Sequence, residues 1–129
     1  MLDPMAPLLT TTDKSGAPVS VVENPAEQRY EIHIDEPAAL AGFTAYRDRP
    51  ADGVTERIFF HTEVGEEFGG RGLATTLVQA ALDDVNARDG PVVVGVCPLV
   101  AAFLKKHPDY AAQAHKVTPQ HLEFLQTAV

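Results

Sequence analysis

The stretch Phe68-Gly69-Gly70-Arg71-Gly72-Leu73-Ala74-Thr75 decides how the rest of the chain is read. Before it, Arg57-Ile58-Phe59-Phe60-His61-Thr62-Glu63-Val64 has an apolar centre and a polar end, as expected of a central strand that opens into a site. After it the period changes. Leu73, Leu77, Ala81 and Val85 recur at helical spacing, and Val78 and Leu82 widen the apolar face. Glycines at such a junction let backbone N–H groups converge without Cβ obstruction, and the helix N-terminus adds about half a positive charge. That combination suits a pyrophosphate; the same spacing also fits a tight turn that binds nothing. A P-loop needs Lys-Ser/Thr after its last glycine, whereas Leu73-Ala74 follows here. A dinucleotide fingerprint needs Gly-x-Gly-x-x-Gly inside a βαβ unit, and neither that spacing nor a preceding parallel strand is evident. An anionic cofactor other than ATP or NAD fits better.

Working outward, Val19-Ser20-Val21-Val22, the alternating run Arg29 to Ile34, and Ala39 to Tyr46 read as three earlier strands, with a turn at Asn24-Pro25. Residues 1–18, with Pro4, Pro7, Gly16 and Pro18, read as a flexible leader, and Arg47 to Val54, with Pro50 and Gly53, as a loop. Downstream, Gly90-Pro91 stops the first helix. Val92-Val93-Val94-Gly95-Val96 reads as a buried strand, and Pro98 opens a second helix that ends by Pro108. A tail helix is expected from Thr118, with Pro119 at its first position. The order is a meander of about four strands, then helix, strand, helix. This is an α+β fold with a mixed sheet of about five strands, two principal helices and one parallel, right-handed crossover.

The chain has 129 residues, 45% of them apolar and 22% charged, which fits one domain with a single core. A formal net charge of -8 excludes a general nucleic-acid backbone binder and suits cationic substrates such as amines. One cysteine, Cys97, leaves no intramolecular disulfide framework. The N-terminal residues have no secretory pattern, and no run approaches the roughly 18 apolar residues of a membrane span. A cytoplasmic protein with no membrane association is expected.

Gly69-Gly70-Arg71-Gly72-Leu73-Ala74 resembles the acyl-CoA pyrophosphate loop of the GNAT acetyltransferases, Gln/Arg-x-x-Gly-x-Gly/Ala. Gly72 and Ala74 match, and Gly69 replaces the usual Gln or Arg. Together with His61-Thr62-Glu63-Val64, Ala80-Ala81-Leu82-Asp83, Cys97-Pro98 and His107-Pro108-Asp109-Tyr110, the loop is similar to small, YjdJ-type minimal GNAT proteins over about residues 20–110. Asn24, Arg29, Tyr30, Glu31 and Tyr46 also fall where that group has similar residues. The resemblance implies a minimal GNAT domain over residues 19–110, followed by a tail at 111–129 with a short helix. It implies acetyl-CoA as cosubstrate, a primary amine as acceptor, no metal, and a monomer or weak dimer. Gly69 and the N–H groups of Gly70, Arg71, Gly72, Leu73 and Ala74 would hold the phosphates, with Thr75 capping the site. Glu63 and Val64 would flank the pantetheine and acyl carbonyl in a gap where two strands splay. The minimal group lacks the N-terminal helices with which larger relatives bind acceptors. No helical pattern lies between Val22 and Arg29, so an open acceptor groove is expected. A non-catalytic CoA-binding module or sensor is the alternative.

Acyl transfer to an amine needs an uncharged nucleophile, a polarised carbonyl and a route for protons. Cys97 stands between a buried strand and a helix, where the dipole favours a thiolate. It is open to four readings: acyl-accepting nucleophile, general base, pocket lining or core filler. Glu63 is the other candidate base, against the plain reading of a solvated edge acid. His61, two residues earlier and so on the same strand face, is a second base or an ordinary strand residue. His61 and Glu63 alone make no metal site. Phe103 stands where many relatives place a hydroxyl-bearing tyrosine. The departing thiolate then takes its proton from solvent or from Tyr110. Lys105 and Lys106 form a solvated helix-end pair or touch the CoA 3′-phosphate.

Overall fold

The computed structural model describes residues 7–35, 38–88 and 91–129. Six strands form one sheet in chain order: β1 (Leu9–Thr12), β2 (Pro18–Asn24), β3 (Arg29–Asp35), β4 (Ala38–Ala51), β5 (Val54–Val64) and β6 (Pro91–Gly95). The first five pair antiparallel, and β6 pairs parallel to β5. The crossover between β5 and β6 carries α1 (Leu73–Ala87). After β6 come α2 (Pro98–Lys106), α3 (Pro108–Ala111) and α4 (Pro119–Ala128). This is the α+β architecture of the sequence reading, with six strands in place of about five.

Two differences have physical causes. The expected leader contains β1, whose Leu9 to Thr12 pair with Val21 to Pro18; three consecutive threonines favour an extended edge strand once β2 is there to pair with. The expected loop over 47–54 is instead the end of β4, a two-residue hairpin, and the start of β5. Asp52 and Gly53 both have positive φ, 46° and 87°, which is the Asp-Gly turn that antiparallel hairpins favour. Pro50 is tolerated because β4 beyond Tyr46 has a partner strand on one side only. The helix-stopping role read for Gly90 lies outside the described residues; α1 ends at Ala87, where Arg88 turns extended.

The core lies between α1–α2 and one face of the sheet. Leu73, Leu77, Val78, Ala81, Leu82 and Val85 of α1 meet Val19, Val21, Tyr30, Ile32 and Phe59, all buried. Each large side chain buried this way contributes about 2 kcal/mol. Arg57 is buried on the same face. Its guanidinium meets both oxygens of Asp48 at 2.9 Å, Glu23 at 3.2 Å and the Tyr30 hydroxyl at 2.9 Å, and it lies 4.0 Å over the Tyr46 ring. The Tyr30 hydroxyl donates to Asp84 of α1 at 2.7 Å, and Arg88 bridges Asp84 to Glu23. The charges are mutually satisfied, so the network tolerates burial.

On the opposite face, alternation exposes Glu56 to the C-terminal segment. Glu56 Oε1 meets His121 Nε2 at 2.9 Å and Arg49 at 2.8 Å, and Oε2 meets His115 Nδ1 at 2.8 Å. The Thr118 N–H donates to His121 Nδ1 at 2.9 Å, which fixes Nε2 as the donor to Glu56 and caps α4 where the sequence placed its start. Burial pushes the Glu56 carboxyl up, but the hydrogen bonds from His115, His121 and Arg49 outweigh it and hold the group below 4.5. A carboxyl depressed on folding stabilises above its unfolded value and loses that contribution as pH falls through its folded value. Glu56→Ala should therefore lower unfolding free energy by about 3 kcal/mol in urea titrations at neutral pH. The difference from the parent should shrink as pH is taken below 4.5.

Candidate functional site

The sheet parts at Phe59. Parallel pairing of β5 with β6 ends at Phe59 and Gly95, where the Phe59 carbonyl accepts from both Val96 N–H at 2.9 Å and Cys97 N–H at 3.0 Å. Beyond it β5 runs on to Val64, paired with β4 alone. At the same point the β4–β5 register jumps from Tyr46–Phe59 to Ala45–His61, so Phe60 is an extra residue, a bulge. The bulge reverses which side chains face α1. Before it these are Arg57 and Phe59. After it they are Thr62, which meets Cys97, and Val64, which packs on the core.

The backbone is redirected too. Gly65 N–H bonds the Ala41 carbonyl at 2.9 Å, so alternation turns the N–H groups of Thr62 and Val64 away from β4 and into the gap. His61 and Glu63 stand on the opposite, open face, with His61 Nε2 3.2 Å from Glu63 Oε1 and side chains 53% and 61% exposed. Between Val22 and Arg29 the chain completes β2 at Asn24 and makes a short 3-10 turn, Pro25–Glu27, with no α-helix.

The gap leads to the glycine turn. A 3-10 turn, Glu66–Phe68, is followed by Gly69, then Gly70 and Gly72 at φ 78° and 75°. These are left-handed conformations that side chains resist. Gly72 occupies the N-cap of α1 and supplies no side-chain cap, so the first-turn amides of a 15-residue helix point outward as donors. Gly69 to Thr75, with Val64, line a cavity of about 240 Å³. Leu73 is buried and presents only backbone, whereas Thr75 is exposed at the rim. Ala74 and Thr75 also border a groove of about 190 Å³ between α1 and α2, lined further by Phe103, Lys106 and His107. A larger cavity, about 470 Å³, lies between β1 and α1 against Leu8, Leu9 and Asp84; it touches neither the loop glycines nor Cys97.

Cys97 sits at the N-cap of α2, 2% exposed, with Sγ 3.2 Å from Thr62 Oγ1; Thr62 in turn is 2.8 Å from Thr44 Oγ1. Sequence reading missed the two threonines. Thr62 lies inside His61-Thr62-Glu63-Val64, but its facing depends on the bulge. Phe103 stacks on His107 at 4.1 Å and meets Tyr110 edge-on at 5.0 Å. The Tyr110 hydroxyl donates to Asp83 at 2.6 Å, and this hydrogen bond, aided by burial, raises its pKa. Tyr110 is thus committed to α1 and is not turned toward the gap. The described residues contain no cluster of three or more potential metal ligands and no helix long and apolar enough to cross a membrane.

A family model described as GCN5-related N-acetyl-transferase matches residues 29–113, from β3 past α3. The chain belongs to this GNAT family. Membership brings acyl-CoA binding and N-acetyl transfer as the family's chemistry. No protein of curated function matches the chain. Thr62→Val keeps the side-chain shape but deprives Thr44 Oγ1 and Cys97 Sγ of their shared partner. It should cost about 1–2 kcal/mol in urea unfolding, with Thr62→Ser close to the parent. Equal stability of all three would show that the hydroxyl–thiol chain does not form.

Proposed function

We propose that the protein transfers an acetyl group from acetyl-CoA to a primary amine. The observation that carries this reading is the edge of β5 left free beyond Phe59, whose last residue, Val64, lines the same cavity as the uncapped N-terminus of α1. In this reading the amides around Gly69, Gly70, Arg71, Gly72, Leu73 and Ala74 hold the diphosphate, with Thr75 at the rim. The Val64 N–H, turned into the gap, polarises the thioester carbonyl and stabilises the oxyanion that forms when the amine attacks. The acceptor arrives from the open face, where Glu63, with His61 beside it, takes the proton the attacking nitrogen releases. The C–S bond then breaks and the thiolate takes a proton from solvent.

Cys97 is buried against Thr62 of the same strand edge. Its thiol is shielded and engaged by Thr62, which supports a part in shaping the acyl pocket during direct transfer; an acyl-enzyme would require the side chain to turn out. A second reading, a CoA-binding module without turnover, is favoured by one observation: Phe103 offers no hydroxyl and the Tyr110 hydroxyl is bonded to Asp83, so neither stands ready to protonate the departing thiolate.

Thiol release from acetyl-CoA against a panel of amines tests the three outcomes. Direct transfer predicts that Glu63→Gln lowers kcat by about 10²-fold, while Cys97→Ala stays within several-fold of the parent and no acyl-protein is seen by mass spectrometry. A labile acetyl group on Cys97, lost with kcat in Cys97→Ala, would replace direct transfer with a two-step route. Tight CoA binding with no thiol release from any amine would favour the module.

A further inference from the structure

The turn between β1 and β2 reaches the phosphate loop, although it lies before the residues matched by the family model. Asp13 organises this turn. Its Oδ1 accepts from Ser15 N–H at 2.8 Å, Ser15 Oγ at 2.6 Å and Ala17 N–H at 3.0 Å. The Ser15 hydroxyl chiefly, against the opposing effect of burial, keeps the carboxyl below its ordinary range, with help from the Ala17 and Ser15 amides and from Arg71. The turn then docks on the loop. Lys14 N–H donates to the Arg71 carbonyl at 3.1 Å, and Asp13 Oδ2 lies 3.7 Å from the Arg71 guanidinium. The Lys14 stem crosses directly over Gly72, where a Cβ would stand 3.0 Å from Lys14 Cε.

Two cations are thereby held at the N-terminus of α1, where the helix dipole is already positive and disfavours them. Asp13 offsets one of these charges, so the cluster keeps one net positive charge toward the loop. Arg71 shares its charge with Asp13, so the exposed Lys14 is the more available of the two. Asp13 Oδ2 is buried, and among the described residues no hydrogen-bond donor reaches it. The cavity of about 240 Å³ between the turn and the loop is lined by Lys14, Arg71, Gly72 and Thr75 as well as Asp13.

We propose that the β1–β2 turn forms an additional wall of the cofactor site, with Lys14 binding a phosphate group of the CoA thioester and Asp13 fixing the turn to Arg71. The proposal rests on the loop being the CoA site, and deepens that reading by adding a residue from outside the family-matched region. In a chain of net charge -8, a local cation of this kind also offsets repulsion of a polyanionic cofactor.

Calorimetric titration of CoA and 3′-dephospho-CoA into the parent, Lys14→Gln and Lys14→Arg, with thermal melts to confirm folding, tests it. The expected result is CoA binding by the parent, about tenfold weaker binding by Lys14→Gln, and near-parent binding by Lys14→Arg, with the difference narrowing in high salt. A loss that persists with 3′-dephospho-CoA assigns Lys14 to the diphosphate; one that disappears assigns it to the 3′-phosphate. Parent-like CoA affinity in Lys14→Gln would overturn the proposal and leave the loop's role standing. No CoA binding by the parent would remove the loop reading and this one together.

Discussion

The site depends on one carbonyl. Phe59 C=O takes the N–H groups of both Val96 and Cys97, and once it has done so β6 has nothing further to offer β5. A strand that keeps running past its neighbour must leave its outward amides unpaired, and unpaired backbone groups need partners. The bulge at Phe60 decides what lines that edge. Without the extra residue, His61 and Glu63 would face α1 and the core, while Thr62 and Val64 would face out. With it, a small hydroxyl and a valine line the gap on the helix side, and the two polar groups that can move protons meet solvent. One inserted residue thus gives a single strand one side toward α1 and one toward solvent, the sides on which the proposed transfer puts cofactor and acceptor.

A fixed opening requires rigid walls below it. Immediately before the split, Arg57 ties together Glu23, Tyr30, Asp48 and the face of Tyr46, and Tyr30 and Arg88 extend the network to Asp84 of α1. Burial of Tyr30 and Tyr46 pushes both phenols up, so they stay protonated and act as donors to Asp84 and Glu23. Because the network joins β2, β3, β4, β5 and α1, it fixes where the helix begins relative to the strand edge. On the other face Glu56 holds the C-terminal segment by His115 and His121. The gap is left open by pairing geometry while its surroundings are pinned from both sides.

Much of this was legible in the residues. The helical spacing of Leu73, Leu77, Ala81 and Val85, the β-branched run before Cys97, and Thr118-Pro119 each correspond to an element of the structure. The glycine turn was legible because few contexts need glycines and an uncapped helix together. What escaped was non-local. β1 exists because β2 offers it an edge, which no window of Thr10-Thr11-Thr12 can reveal. The Asp52-Gly53 hairpin was present as a signal, but Pro50 suggested a break; its place on a singly paired strand is a property of the sheet. Burial of Arg57, Glu23 and Glu56 could not be read from charged side chains that face water in most strands. The adjacent aromatics Phe59-Phe60 were the one trace of the bulge, and consecutive apolar residues also occur in ordinary buried strands.

The central claim is that the free edge of β5 and the mouth of α1 act as one binding surface for a CoA thioester. Amide chemical shifts of the ¹⁵N-labelled protein, followed during titration with CoA, test it most directly. Binding there should give saturable changes concentrated at Gly70 to Thr75 and at Thr62 and Val64. Saturable changes confined to the cavity between β1 and α1, around Leu8, Leu9 and Asp84, or none at all, would contradict it.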